Sequence, residues 1–265
     1  MEIFVRSMPK ANLGKGLVPI LAQIITPLFL ILSATAGELR VAVASNFTAA
    51  FKALALRHEQ QTGQTITPIP GASGKHYAQI KNGAPFDAFF AADAQGPQRL
   101  ESEGRAVAGS RFTYALGKLA LWSPTANTVD PAGKVLQEGA FSHLALANPD
   151  LAPYGRAARQ VLQHLHLWQT LKGKLVFGEN ISQTFNFVQT GNAQLGFIAW
   201  SQIDHPTARP AGSWWEIPPN LHDPIEQQAI LLKPIPAAMI FFQFVQSPQG
   251  QAIILEHGYA LPHIR

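Results

Sequence analysis

The chain has 265 residues, of which 47% are hydrophobic and 14% are charged. This length and apolar content can bury a substantial core, which excludes a disordered protein and fits one large domain or two smaller ones. The formal net charge of +4 owes much to the first sixteen residues, which contain the basic residues Arg6, Lys10 and Lys15 but only one acidic residue, Glu2. No later cluster of Lys and Arg forms a phosphate-tracking stripe, so we expect no binding of nucleic acid. Cysteine is absent, which excludes disulfides and thiolate metal sites.

The first 36 residues have the three-part layout of a secretory signal peptide. A basic stretch leads into an apolar run at 17–32, and the small residues at 34–36 form an Ala-x-Ala cleavage site. We therefore predict that residues 1–36 are removed and that the mature chain starts at Gly37. An uncleaved membrane anchor is the alternative, because the run approaches the length that spans a bilayer, although two prolines weaken it as a helix. Both interpretations place the globular part outside the cytoplasm.

Short apolar runs then alternate with helical patterns. Strands are predicted at 39–45, 65–69 and 86–93. Helices are predicted at 46–62 and 95–103, and a third follows the turn at 71–74 and ends near Gly83. This βαβαβα order predicts a parallel sheet with right-handed crossovers.

A second set of elements opens with the apolar run at 114–122. Further strands are predicted at 144–147, 174–177 and 195–200, with helices at 155–168 and 182–190. The remainder, a strand at 227–232 and helical patterns within 236–257, is too short to stand alone and is expected to return to the first unit. The Pro- and Gly-containing stretch at 204–219 is the candidate second crossing. The predicted organisation is lobe 1 at 37–117, lobe 2 at 118–216 and a return to lobe 1 at 217–265.

The turns that follow the strands carry the chemistry. In an open parallel sheet, ligands bind beyond the carboxyl ends of the strands, where helices begin. Ser45 and Asn46 follow the first strand, Ser73 the second, and Tyr154 and Ile181 stand at helix starts in the second unit. Hydroxyls and free N–H groups at helix N-termini are the ingredients of an anion site. Each serine alone is more typical of an ordinary N-cap, so only the joint pattern indicates a site.

These turns carry neither lysine nor arginine, so the predicted donors are neutral. Charge-assisted hydrogen bonds contribute about 1.5–3 kcal/mol each, and half a dozen of them oppose the desolvation cost of a dianion. A cage of donors alone also rejects an anion whose own proton finds no acceptor.

Five segments resemble the periplasmic molybdate-binding proteins of bacterial ABC transporters, a family of class II solute-binding proteins. The matching segments are Val-Ala-Val-Ala-Ser-Asn at 41–46, Gly-Ala-Ser-Gly at 71–74, Gly-Ala-Pro-Phe-Asp-Ala-Phe-Phe-Ala-Ala-Asp at 83–93, Ala-Asn-Pro-Asp-Leu-Ala-Pro-Tyr-Gly at 147–155 and Gly-Asn-Ala-Gln-Leu-Gly-Phe at 191–197. The resemblance implies an α/β fold of two lobes, each a mostly parallel sheet flanked by helices, with the ligand cleft between them. It also implies a periplasmic monomer without catalysis or cofactor, which holds molybdate or tungstate and delivers it to an ABC permease in the inner membrane.

The resemblance implies a set of ligand-binding residues, which are Ser45, Asn46, Ser73, Tyr154 and, through its backbone N–H, Ile181. Some members of the family have a further tyrosine donor near Gly196, where this chain has Ala199 and Trp200. Our interpretation gives that contact to Asn46. The expected mechanism is hinge closure around the anion, after which the closed form docks on the permease.

Three other interpretations stay open or are disfavoured by the sequence. A binding protein for another small oxyanion such as sulfate would differ only in cavity radius and donor count. An effector or sensor domain of the same fold would carry a helix-turn-helix where this chain has its leader. An enzyme is disfavoured, because Lys75 stands where a nucleophile elbow around Ser73 needs glycine. The nine histidines show no ligand spacing, so we expect no metal site beyond the bound oxyanion.

Overall fold

The computed structural model of the protein describes residues 38–204 and 210–262. The predicted signal peptide at 1–36, with its cleavage site before Gly37, lies outside the described residues. Within the described ranges, no helix has the length and apolar character needed to cross a membrane.

Strands and helices alternate through most of the described chain. The strands are β1 Leu39–Ala44, β2 Ile66–Gly71, β3 Ala88–Ala91, β4 Phe112–Gly117, β5 Leu119–Ser123, β6 Leu144–Ala147, β7 Leu175–Gly178, β8 Leu195–Ala199, β9 Ser213–Glu216 and β10 Ile225–Leu231. The α-helices are α1 Thr48–Thr62, α2 Ser73–Lys81, α3 Gln95–Ser102, α4 Val135–Glu138, α5 Pro153–His164, α6 Trp168–Leu171, α7 Ile181–Gln189, α8 Pro236–Gln246 and α9 Pro248–Glu256. Short 3-10 turns lie at Ser45–Phe47, Lys172–Lys174, Trp200–Gln202 and Pro219–Leu221.

The strands form two five-stranded sheets, and each sheet is the centre of one lobe. The first has the order β2-β1-β3-β10-β4, and the second has the order β7-β6-β8-β5-β9. In the first sheet β1 pairs in parallel with β2 and β3, whereas β10 runs antiparallel to β3 and β4. In the second sheet β6 is parallel to β7 and β8, whereas β5 is antiparallel to β8 and β9. The predicted two-lobed α/β architecture is confirmed, with antiparallel strands added to each parallel core.

The chain passes between the sheets twice. The first passage is very short, because β4 ends at Gly117 in the first sheet and β5 starts at Leu119 in the second. The prediction that 114–122 opens the second unit as one run was therefore wrong. An uninterrupted apolar pattern cannot show that its two halves pair with different partners. The second passage lies between β9 and β10, and β10 returns to the first sheet as expected.

Strand β9 lies within the stretch 204–219, for which the sequence predicts a loop. Its four residues pair antiparallel with β5 and form an edge of the second sheet. Four residues are too few to show an alternating pattern, so the pairing is fixed by tertiary contact rather than by local signal. The lobe boundaries at 117 and 216 remain a prediction.

Each lobe has its own apolar core, and both cores hold the carboxyl ends of the parallel strands in place. The first core is rich in aromatic rings, with Phe47 4.5 Å from Tyr114 and Phe51 5.1 Å from Phe90 between ring centroids. All four residues of β3 and of β6 are buried, as expected for central strands covered on both faces. Helices α8 and α9 pack against α1 in the first lobe. This packing fixes the positions of the turns that follow the strand ends.

Candidate functional site

A small pocket lies between the lobes at the carboxyl ends of the parallel strands. Its free volume is about 10 Å³, far below the roughly 300–1,000 Å³ of sites for drug-sized molecules, so only a very small ligand fits. The pocket brings together all five residues selected from the sequence. The residues that line it are Ala44, Ser45, Asn46, Gly71, Ala72, Ser73, Ala92, Ala152, Pro153, Tyr154, Asn180 and Ile181.

A larger groove of about 650 Å³ runs along β9 and the loop at 127–131. It is open to solvent, and it lies on the edge of the second sheet rather than at the strand ends where α/β proteins bind ligands. The helix starts that supply backbone donors border the small pocket instead. We therefore place the candidate site in the small pocket.

Ser73 is the best-defined donor from the first lobe. It is buried at the first position of α2, and its Oγ accepts a hydrogen bond of 2.9 Å from the N–H of Ala92. Because the hydroxyl accepts from the protein, its own proton is free to be donated into the pocket. Ser73 is not the N-cap of α2, because Ala72 holds that position and gives no side-chain bond. Within the described ranges the N–H of Ser73 has no acceptor either.

The second lobe presents backbone N–H groups at two helix starts. Helix α5 begins with Pro153, which has no N–H, so Tyr154 carries the first free donor of that helix. Helix α7 is capped by Asn180, whose side chain accepts from the N–H groups of Ser182 and Gln183, each at 3.0 Å. The cap satisfies the second and third donors and leaves the N–H of Ile181 for the pocket.

The side chain of Tyr154 has a different environment from its backbone. Its hydroxyl is buried next to Gly117, where the chain passes between the sheets, beside the side-chain amide of Gln227. Burial raises the pKa of this hydroxyl well above its ordinary value, so it keeps its proton. The atom of Tyr154 that suits the pocket is therefore its main-chain nitrogen.

The side chain of Asn46 is engaged in the protein. Its Nδ2 donates 2.8 Å to Oε1 of Gln227 and 3.1 Å to the hydroxyl of Tyr259. An amide has only two such hydrogens, so a donor for the pocket must come from the Asn46 backbone. The interpretation that Asn46 supplies the missing fifth contact then requires its main-chain N–H.

The pocket contains no charged side chain among its lining residues. Charges stand at its rim as opposite pairs that join the two lobes: Asp93 with Arg156, and Lys75 with Glu179 at 2.7 Å. Two further bonds cross between the lobes, from Gly74 N to Leu151 O at 2.9 Å and from Ser182 Oγ to Ser45 O at 3.1 Å. The lobes are thus in contact around the pocket, in a closed arrangement.

Two contributions to the site are not among the residues predicted from the sequence. The cap Asn180 had a local signal, because asparagine directly before a helix start is a favoured N-cap. The network of Gln227 and Tyr259 behind Asn46 had none, because these residues lie 181 and 213 positions away in the chain. Within residues 38–204 and 210–262, no group of three or more His, Cys, Asp or Glu side chains could hold a metal ion.

Fold and pocket together define a two-lobed receptor that offers neutral donors from both lobes to a small anion. The chain belongs to the family of bacterial extracellular solute-binding proteins, whose family model matches residues 39–260. Among curated relatives, the molybdate-binding protein ModA of Azotobacter vinelandii is 48% identical over 232 residues, which are 86% of this chain and 92% of that protein. The ModA of Rhodobacter capsulatus is 45% identical over 233 residues, 87% of this chain and 91% of that protein.

Solved structures agree with this assignment. The periplasmic molybdate-binding protein of A. vinelandii superposes with a TM-score of 0.83 at 42% identity, covering 85% of this chain and all (100%) of that one. The sulfate-binding protein SubI of Mycobacterium tuberculosis superposes with a TM-score of 0.71 at 11% identity, covering 86% of this chain and 88% of that one. At this low identity, the second likeness shows the shared fold alone.

Proposed function

We propose that this protein captures molybdate in the periplasm and delivers it to the permease of an ABC importer. The observation that carries the proposal is the convergence of four strand-to-helix turns, two from each lobe, on one pocket without charged side chains. The two relatives with 48% and 45% identity, both named for molybdate binding, support the choice of anion. Export by the leader at 1–36 belongs to the same proposal.

The donors fit a fully deprotonated tetrahedral dianion. Hydroxyls of Ser45 and Ser73 and the N–H groups of Tyr154 and Ile181 come from opposite sides of the pocket. Each charge-assisted bond contributes about 1.5–3 kcal/mol, and the partial positive charge at a helix start adds to it. Neutral donors therefore offset the desolvation cost of the anion without lysine or arginine at the pocket.

Selectivity follows from the same arrangement. A protonated oxyanion such as hydrogen phosphate needs an acceptor for its proton, and the Asn180 side-chain oxygen at the pocket is already taken by two N–H groups. Tungstate has the same charge and shape as molybdate, so we propose that it binds in the same place. Sulfate has the same charge but is smaller, and its discrimination depends on how closely the lobes fit around the ligand.

Delivery uses the closed form. The ion pairs and hydrogen bonds across the cleft connect the lobes only when they meet, so the ligand and these contacts favour the same state. We propose that the permease recognises this closed surface and that opening on the permease releases the anion. No covalent step is involved.

A panel of anions tests the proposal on the purified protein. Thermal unfolding is followed with molybdate, tungstate, sulfate, phosphate and chromate, and titration calorimetry gives the dissociation constants. A ligand at 100 times its dissociation constant adds about 2.7 kcal/mol to stability, so molybdate and tungstate should give large upward shifts in melting temperature. A larger shift with sulfate would reassign the protein to the sulfate alternative, and no shift with any anion would refute an oxyanion function.

A further inference from the structure

The turn that follows β8 contacts a pocket-lining residue, Ile181, without lining the pocket itself. The turn consists of Trp200–Gln202, and none of its residues lines the pocket. Its Gln202 instead donates 3.3 Å to the carbonyl oxygen of Ile181 and accepts 2.9 Å from the N–H of Ala199. The turn therefore contacts the start of α7, from which one proposed donor comes.

The neighbouring Ser201 reaches the other lobe. Its Oγ donates 3.0 Å to the hydroxyl of Tyr259, which lies in the first lobe. Tyr259 is anchored there because the next residue, Ala260, exchanges backbone hydrogen bonds of 2.7 and 3.1 Å with Leu116 of β4. The Ser201–Tyr259 hydrogen bond thus joins the two lobes next to the point where the chain passes between them.

The same hydroxyl fixes the first pocket turn. Tyr259 donates 2.7 Å to the carbonyl oxygen of Asn46 and accepts 3.1 Å from its Nδ2. Together with the bond from Ser201, one hydroxyl makes three hydrogen bonds, which is its full capacity. Burial raises the pKa of Tyr259 above its ordinary range, so the proton donated to Asn46 stays in place.

We propose that Tyr259 is a positioning residue of the oxyanion site, which with Ser201 holds the Ser45–Asn46 turn in its binding geometry when the lobes close. The proposal rests on the function proposed above. Tyr259 touches Asn46 at both its backbone and its side chain, so it restrains the orientation of the adjoining peptide groups. Because Ser201 comes from the second lobe, its bond links the first pocket turn to that lobe, and in this proposal it couples the turn to the closed state.

A matched pair of substitutions separates positioning from general stability. Tyr259→Phe removes the hydroxyl that contacts Asn46 and Ser201. Tyr114→Phe removes another buried hydroxyl, whose single proton can be donated either to the carbonyl oxygen of Ala91 or to Oε1 of Gln227, each at 3.1 Å, and which makes no hydrogen bond to Asn46 or Ser201. Both variants lose a buried tyrosine hydroxyl of the first lobe, so their unliganded melting temperatures should fall by similar amounts.

Titration calorimetry with molybdate gives the decisive readout. We expect Tyr259→Phe to weaken binding about tenfold, the effect of losing one to two hydrogen bonds, and Tyr114→Phe to leave it within about twofold. Ser201→Ala, a milder change at a partly exposed site, should weaken binding in the wild type but not in the Tyr259→Phe background, because the two residues act through one bond.

The outcomes distinguish the two proposals. When the wild type binds molybdate, three results would refute the positioning role. The first is that Tyr259→Phe binds molybdate as tightly as the wild type, and the second is that Tyr114→Phe loses as much affinity as Tyr259→Phe. The third is a double variant in which Ser201→Ala lowers the affinity of Tyr259→Phe by its full effect. If the wild type does not bind molybdate, the proposed function fails. The same variants are then measured with whichever anion of the panel binds, and if none binds, the positioning role fails as well.

Discussion

Replacing Ser73 with alanine removes the donor that the structure defines best. The change deletes a pocket-lining hydroxyl whose oxygen accepts from Ala92 N and whose own proton is free for a ligand. Loss of one charge-assisted bond costs about 1.5–3 kcal/mol, which raises the dissociation constant for molybdate roughly 10- to 150-fold. The change also leaves the buried N–H of Ala92 without its acceptor, at about 1–3 kcal/mol of folding stability.

Titration calorimetry measures the first effect, and thermal unfolding without ligand measures the second. Ser110→Ala is the matched control, because the Ser110 hydroxyl also accepts from a backbone N–H, that of Leu231 at 3.2 Å, but does not line the pocket. Both variants should lose melting temperature, at about 2–4 °C per kcal/mol for a chain of this size. Only Ser73→Ala should lose affinity. Wild-type affinity in Ser73→Ala would refute the role of the second turn.

Three further changes probe packing, the cleft rim and pH. In Gly155→Ala the new methyl group would collide with the carbonyl oxygen of Ala147. We therefore expect urea unfolding to show a free energy of unfolding lower by about 1–3 kcal/mol, together with weaker molybdate binding. Unchanged stability and binding would contradict the close packing of α5 on β6. Lys75→Met breaks an ion pair with Glu179 whose side chains are 48% and 45% exposed, so calorimetry should show less than about a fivefold change, and a larger one would mean that this pair controls closure. Burial raises the pKa of Tyr114 above its value in the unfolded chain. The stabilisation that the protonated hydroxyl contributes is therefore complete below about pH 10 and is lost as the pH rises further. Urea unfolding at increasing alkaline pH should show a smaller fall in the free energy of unfolding for Tyr114→Phe than for the wild type.

The sequence predicted the alternation of elements and the place of the site because both depend on local signals. A strand that ends in a small polar turn before a helix can be recognised without its partners, and Ser45, Ser73, Tyr154 and Ile181 all follow that rule. Parallel pairing then brings the turns to the same edge of each sheet. The structure accordingly gathers all the selected residues in one pocket.

What the sequence could not predict depends on contacts between distant residues. The local pattern of the apolar run at 114–122 does not show that it forms two strands in different sheets, and β9 exists because β5 offers it a partner. The atoms used at the site also depend on distant partners. Tyr259 and Gln227 occupy the Asn46 amide, and the Tyr154 hydroxyl is buried beside Gly117, so both residues are left with backbone donors for the pocket.

The central claim is that neutral donors from both lobes hold the anion without a cationic side chain. A crystal structure of the protein grown with molybdate tests it most directly, because anomalous scattering locates the molybdenum atom. We predict a peak in the pocket between the lobes, with oxygens within hydrogen-bond distance of the hydroxyl of Ser73 and the main-chain nitrogens of Tyr154 and Ile181. A peak elsewhere, or an anion in contact with Lys75 or Arg156, would contradict the claim.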